Sequence, residues 1–164
     1  MTQPPLHRRA LLAAAGLGLA ALALPATIGS ARSPRRFEVR KTPAEWKRQL
    51  GPERYRILRE AGTERAGTSP LDREKRRGTF TCAGCGLPLF ASSTKFDSGT
   101  GWPSFFRALP NAVVTETDRS LLMARTEVLC RRCGGHLGHV FEDGPKPTGL
   151  RYCMNGLALR FRPA

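Results

Sequence analysis

Two CxxC turns, Cys82-Ala83-Gly84-Cys85 and Cys130-Arg131-Arg132-Cys133, constrain this chain more than any other feature. A glycine follows each of them (Gly86 and Gly134), which suits a tight reversal of the backbone. Two such turns can present four thiolates at the corners of a tetrahedron, the closed geometry of a structural zinc site. Because 44 residues separate Cys85 from Cys130, strands must bring the turns together. Disulfides are the rival use, open to an exported protein. The total of five cysteines is odd, however, and paired CxxC turns read more naturally as a metal cage. Four thiolates leave a metal no open position, so the ion would clip the fold and leave Cys153 free for other work.

Cys153 ends a second informative stretch, residues 136–156, which also holds His136 and His139. An imidazole stabilises a thiolate and supplies a proton, so the stretch reads as a site of thiol chemistry. Gly144-Pro145 and Pro147-Thr148-Gly149 forbid one continuous helix between His139 and Cys153. Two short elements folded back by a turn-rich loop would place His139 over Cys153. The same residues also fit two satisfied strand histidines and an inert buried thiol; on these residues alone both readings stand.

Residues 1–31 have the layout of an export signal. Arg8 and Arg9 stand without an acidic residue, residues 10–26 form an uncharged Ala/Leu/Gly run, and Gly29-Ser30-Ala31 offers small residues before a cut. The adjacent arginines resemble the twin-arginine signal, with His7 where that signal usually has Ser or Thr. This route implies a periplasmic protein that meets the membrane only in passage. Cutting after Ala31 removes two of 27 basic and none of 13 acidic residues, which takes the formal charge from +14 to +12. The arginines are scattered, which fits a solvated basic surface and not a nucleic-acid site.

Residues 32–41 read as a linker and residues 42–164 as one domain. Thr42-Pro43-Ala44-Glu45 combines a capping hydroxyl, proline at the first helical position and a glutamate that reaches back. Trp46 and Leu50 supply that helix's apolar stripe. Gly51-Pro52 opens a second short helix with Tyr55, Ile57 and Leu58 inward and Gly62 at its end. Residues 63–77 read as a polar loop. From Gly78 onward short extended runs alternate with turn residues, at 79–82, 88–90, 112–117, 121–130, 137–141, 150–154 and 157–161. The pattern predicts a mainly β (α+β) domain of antiparallel sheet with the two helices packed on it.

Several ordered motifs carry a resemblance. Gly62-Thr63-Glu64, the Cys82–Gly86 turn, Lys95–Phe105 with its Gly101-Trp102-Pro103-Ser104 core, Arg125-Thr126-Glu127-Val128, His136–Pro145 and Arg151–Asn155 together resemble the type B methionine sulfoxide reductases, the peptide-methionine (R)-S-oxide reductases. The likeness runs from about Trp46 to Phe161. It implies two antiparallel sheets clipped by a Cys82, Cys85, Cys130 and Cys133 zinc site, and reduction of the R epimer of methionine sulfoxide in proteins; each epimer has its own reductase. By the same resemblance Cys153 attacks the sulfoxide sulfur and His139 donates the proton. His136 and Asn155 position substrate, water and thiolate, Asp143 orients a histidine, and Trp102 walls the S-methyl group. Thr100 stands where many relatives carry a resolving cysteine, and Gly156 where serine is common. With the other cysteines committed to zinc, the Cys153 sulfenic acid is expected to need an external thioredoxin-like or other thiol reductant. A different class, a zinc-stabilised binding module that recruits an acidic partner by charge, is the competing expectation.

Overall fold

The computed structural model describes Met1 and residues 36–120 and 124–164. The expected export signal, and residues 121–123 of the longest expected strand, lie outside the described residues. Thr42 opens helix α1 (Pro43–Arg59): its hydroxyl accepts the Glu45 N–H, and the Glu45 carboxylate takes the Thr42 N–H at 2.7 Å, closing the capping box. The two expected helices follow one another without an intervening loop. Gly51, at φ 71°, kinks the element and Pro52 restarts it. The end comes slightly before Gly62, with Ala61 in the left-handed conformation (φ 49°) and the Gly62 N–H returning to the Arg56 carbonyl at 3.0 Å.

Trp46, Leu50, Ile57 and Leu58 are the buried face of α1, and its polar side chains fasten it to both CxxC turns. Gln49 Nε2 donates to the Gly84 carbonyl at 2.5 Å, and Arg59 Nη1 to the Cys133 carbonyl at 3.0 Å. Residues 37–39, read above as linker, dock on the second turn. Phe37 lies against Gly134, and the Val39 N–H bonds the Arg132 carbonyl at 2.9 Å.

Among the described residues nine strands follow: β1 (Gly78–Cys82), β2 (Pro88–Ala91), β3 (Lys95–Phe96), β4 (Ser104–Phe105), β5 (Val113–Asp118), β6 (Arg125–Cys130), β7 (His136–Phe141), β8 (Arg151–Met154) and β9 (Leu159–Pro163). They form two antiparallel sheets, as expected: a small one in the order β2-β1-β9 and a large one in the order β3-β4-β8-β7-β6-β5. Strands β3 and β4 escaped the sequence pattern because two residues are too few to show alternation. Turns of 3-10 helix at Pro70–Arg73 and Gly156–Ala158 escaped it too, and the second delays β9 to Leu159.

Stacked rings join the sheets. Phe105 of β4 stacks on Phe90 of β2 at 4.3 Å between centroids and meets Phe80 of β1 edge-on at 4.9 Å; all three rings are fully buried. Phe90 also approaches Tyr152 of β8 at 5.7 Å. Since Phe105 and Tyr152 are register partners, they share the face of the large sheet turned to the core. Met154, two residues from Tyr152, and Val128 share it and are buried. Residues of the opposite parity on β8, β7 and β6 therefore gather on the other face, and Cys153 is one of them.

Candidate active site

One line of register partners crosses that outer face. Ser104 of β4 pairs with Cys153 of β8, Cys153 with His139 of β7, and His139 with Glu127 of β6. Direct partners in an antiparallel ladder point the same way, with Cα atoms about 4.5–5.5 Å apart. The fold thus puts the thiol and the imidazole side by side. Gly138 makes the approach possible, because a Cβ on it would collide with the Cys153 carbonyl.

His136 would face the core in a regular strand, being three residues from His139. A register shift between Val128 and Leu129 makes Leu129, and not Cys130, the partner of His136. The bulge turns His136 onto the same face, and the two imidazoles stand 5.5 Å apart at 66°. His136 Nδ1 lies 2.6 Å from Glu127 Oε1, while its buried Nε2 meets no partner among the described residues. His139 Nε2 lies 2.9 Å from Asp118 Oδ2, and the same oxygen accepts from Arg125 Nη2 at 2.6 Å. The Ser120 hydrogen bonds, with those from His139 and Arg125, hold the Asp118 carboxyl well below the usual range, so the carboxylate accepts and His139 Nε2 carries the proton. Nδ1 is the nitrogen left over. It can give a proton only from the doubly protonated ring. Burial pushes the His139 pKa down, and the Asp118 bond pushes it back up.

Cys153 is half-buried, and burial raises its pKa; a hydrogen bond from Thr100 and the charge of Arg151 work against that rise. Thr100 Oγ1 stands 3.9 Å from the sulfur. Asp143 does not bond a histidine, contrary to expectation. Its carboxylate receives Arg151 Nε at 2.8 Å and Nη2 at 2.7 Å, because it lies just past β7 at the point where β8 presents Arg151. Asp143 therefore lies on the cysteine side of the site, bonded to the guanidinium. A cleft of about 410 Å³ opens beside these groups, lined by Thr100, Asp143, Arg151 and the Phe96–Ser98 segment.

Trp102 and Asn155 reach the site through backbone. The Met154 N–H bonds the Pro103 carbonyl at 2.9 Å, which sets the half-buried Trp102 beside the cysteine strand. Asn155 is 3% exposed; its Oδ1 accepts the Glu64 N–H at 2.9 Å and its Nδ2 donates to the Leu137 carbonyl at 3.2 Å. It braces the strand ends and spends its polar atoms there, not on the thiol. Asp118, Glu127 and Glu64 are site-building residues that sequence reasoning missed. For Glu127 and Glu64 the signal was their place within the Arg125–Val128 and Gly62–Glu64 motifs.

The four remaining cysteines gather at the two turns. Their sulfurs lie within 4.8 Å of one another, with Cys82 to Cys133 at 3.7 Å and Cys85 to Cys130 at 3.5 Å. Metal–sulfur bonds of about 2.3 Å give a tetrahedral edge of about 3.8 Å, whereas a disulfide needs about 2.05 Å. The cluster fits a metal ion, and all five cysteines are free thiols.

A lone cysteine facing an imidazole, apart from a four-thiol clip that joins two antiparallel sheets, defines a thiol-based oxidoreductase scaffold. Residues 50–163 match the SelR domain family. A peptide methionine sulfoxide reductase MsrB from Thiobacillus denitrificans is 60% identical over 124 residues, covering 75% of this chain and 94% of that protein. MsrB proteins of the same description from Leptospira interrogans and Methanosarcina barkeri are each 54% identical, covering 77% and 76% of this chain and 97% and 88% of their own lengths. The chain belongs to the MsrB family of peptide methionine sulfoxide reductases.

Replacing Asp118 by Asn removes the charge that favours protonated His139. The His139 pKa, followed by NMR titration of the ring protons, is expected to fall further below the ordinary imidazole value. An unchanged or higher value would break the assigned link.

Proposed function

We propose that the chain reduces the R epimer of methionine sulfoxide in proteins to methionine, with Cys153 as nucleophile. The observation that carries the reading is the shared rung of Cys153 and His139, with a cleft beside it. Sulfoxide sulfur becomes electrophilic when its oxygen is protonated, so the reaction requires a soft nucleophile at sulfur and an acid at oxygen. The Cys153 thiolate attacks sulfur while His139, as imidazolium, gives a proton to the oxygen. Oxygen then passes to Cys153, the substrate leaves as the thioether methionine, and the enzyme is left as a sulfenic acid. The buried Nε2 of His136 is a ready partner for the oxygen or a water. Trp102 supplies an aromatic wall for the S-methyl group. Arg151, held by Asp143, favours the thiolate.

Recycling falls to a thiol from outside the chain. With Thr100 beside Cys153 and the other thiols in the cluster, an external thioredoxin-like protein or small thiol attacks the sulfenic sulfur to form a mixed disulfide and water; a second thiol frees Cys153. The cluster holds zinc through Cys82, Cys85, Cys130 and Cys133, where the ion clips the two turns and takes no part in oxygen transfer. Residues 1–31 act as a twin-arginine export signal cut after Ala31, which places the enzyme in the periplasm.

Incubation with R and S sulfoxide peptides and dithiothreitol is expected to convert only the R form. Cys153→Ser is expected to lose more than about 10³-fold in rate while keeping one zinc per chain by elemental analysis. Turnover of neither epimer, or an active serine variant, removes the reading. Thr100→Cys is expected to form a disulfide with Cys153 after one turnover, seen as a two-dalton loss by mass spectrometry, whereas the parent chain yields a trappable sulfenic acid. The mass of the exported protein is expected to begin at Arg32; export of the full-length chain would contradict the cut.

A further inference from the structure

We propose that Glu64 is a positioning residue that sets Trp102 against the cysteine strand, an inference that rests on the reading of Cys153 and Trp102 above. Glu64 is 4% exposed, a burial that a carboxylate tolerates only when its oxygens are bonded. Oε1 accepts the Gly156 N–H at 2.5 Å and Oε2 the Leu157 N–H at 2.8 Å. Its own N–H donates to Asn155 Oδ1 at 2.9 Å. Its carbonyl accepts from Trp102 Nε1 at 3.1 Å. Four polar groups of one residue are thus spent on two places only: the three residues after Met154, and the indole.

These two places belong to different segments of the chain. Trp102 comes from the loop between β3 and β4, and residues 155–157 continue β8 past Cys153. An indole has a single donor, so the Glu64 carbonyl fixes how the ring is turned. The neighbouring backbone tightens the same link, since the Gly67 N–H bonds the Gly101 carbonyl at 2.7 Å. A carboxylate is needed, not merely a polar side chain. Both its partners are N–H donors, and the amide of a glutamine would turn an NH₂ toward one of them. Gly156 completes the fit: a Cβ there would fall on the Ser69 hydroxyl and lie 3.2 Å from Glu64 Oε1. In this chain Ser69 fills the space that a side chain at 156 would take, so the carboxylate keeps its seat.

The test uses the full chain with Trp46→Phe, which leaves Trp102 as the only tryptophan. Glu64→Gln is expected to shift Trp102 emission to the red and to lower kcat/KM for the R-sulfoxide peptide by roughly ten- to hundredfold, carried mainly by KM. The rate of Cys153 alkylation by iodoacetamide and the zinc content are expected to stay within twofold. Adding Trp102→Phe is expected to erase most of the Glu64→Gln effect, as coupled positions do. Unchanged emission and KM overturn the proposal; so does a loss shared equally by kcat, zinc content and thermal stability, which marks a general prop of the fold. If Glu64→Gln does not fold, Glu64→Asp keeps the charge but shortens its reach to the Gly156 and Leu157 N–H groups, and is read by the same emission and KM. Should the parent chain reduce neither epimer, the proposed activity fails, and the emission shift alone decides whether Glu64 sets the indole.

Discussion

The pairing of β7 with β8 is the constraint on which the rest depends. In an antiparallel ladder a slip of one residue sends every side chain to the other face. Here it would turn Cys153 into the core and bring Tyr152 and Met154 out to water. The apolar parity of β8 prevents that: Met154 is buried, and Tyr152 packs on Phe90. Burial of one face therefore fixes the chemistry of the other. The bulge opposite Val128 and Leu129 is the one departure from regular pairing within the large sheet among the described residues, and it adds the second imidazole to a face that would otherwise carry only one.

That face holds two groups in the less reactive charge state. Burial raises the Cys153 thiol and lowers His139, so each is pushed toward its neutral form. Attack needs the opposite pair, thiolate and imidazolium. Moving one proton from Cys153 to His139 makes that pair without changing the net charge, so the site needs no proton from outside to reach it. Arg151 favours the first ion and Asp118 the second, each from the far side of the rung.

Much of the fold was legible in the sequence where the signal is local. The capping box at Thr42, the Gly51-Pro52 break and the spacing of the cysteines each state their structure within a few residues. Strands β3 and β4 were not legible, since a two-residue strand exists only through its neighbours. The site divided in the same way. Cys153 and His139 drew notice by residue type, but an inert thiol fitted the same residues, and only the family resemblance gave them roles; the register now sets them side by side. Asp118, Glu127 and Glu64 are ordinary acids in sequence, and only register or a long-range bond gives them a histidine or an indole to hold. Asp143 was assigned to a histidine by the family resemblance, yet the strand geometry hands it to Arg151. Likewise Phe37 and Val39 sit in a polar, arginine-rich stretch whose composition hides their contact with the second CxxC turn.

The two sulfur sites divide the work of the molecule. Cys82 and Cys130 close strands β1 and β6, so a clip between their turns joins the small sheet to the large one. The join lies at the ends of the strands, while Cys153 lies within β8 beside the cleft. A metal cage consumes thiols as thiolates and keeps them from the redox cycle, which leaves Cys153 without an internal partner once Thr100 occupies the adjoining position. In the proposed reaction the cleft beside Thr100 and Arg151 would have two tasks in turn: admitting a sulfoxide side chain, and later admitting a thiol to the same sulfur. A site that served both would gain from a fixed indole and a braced strand, because the wall proposed for the S-methyl group must not close over Cys153 when the reductant arrives.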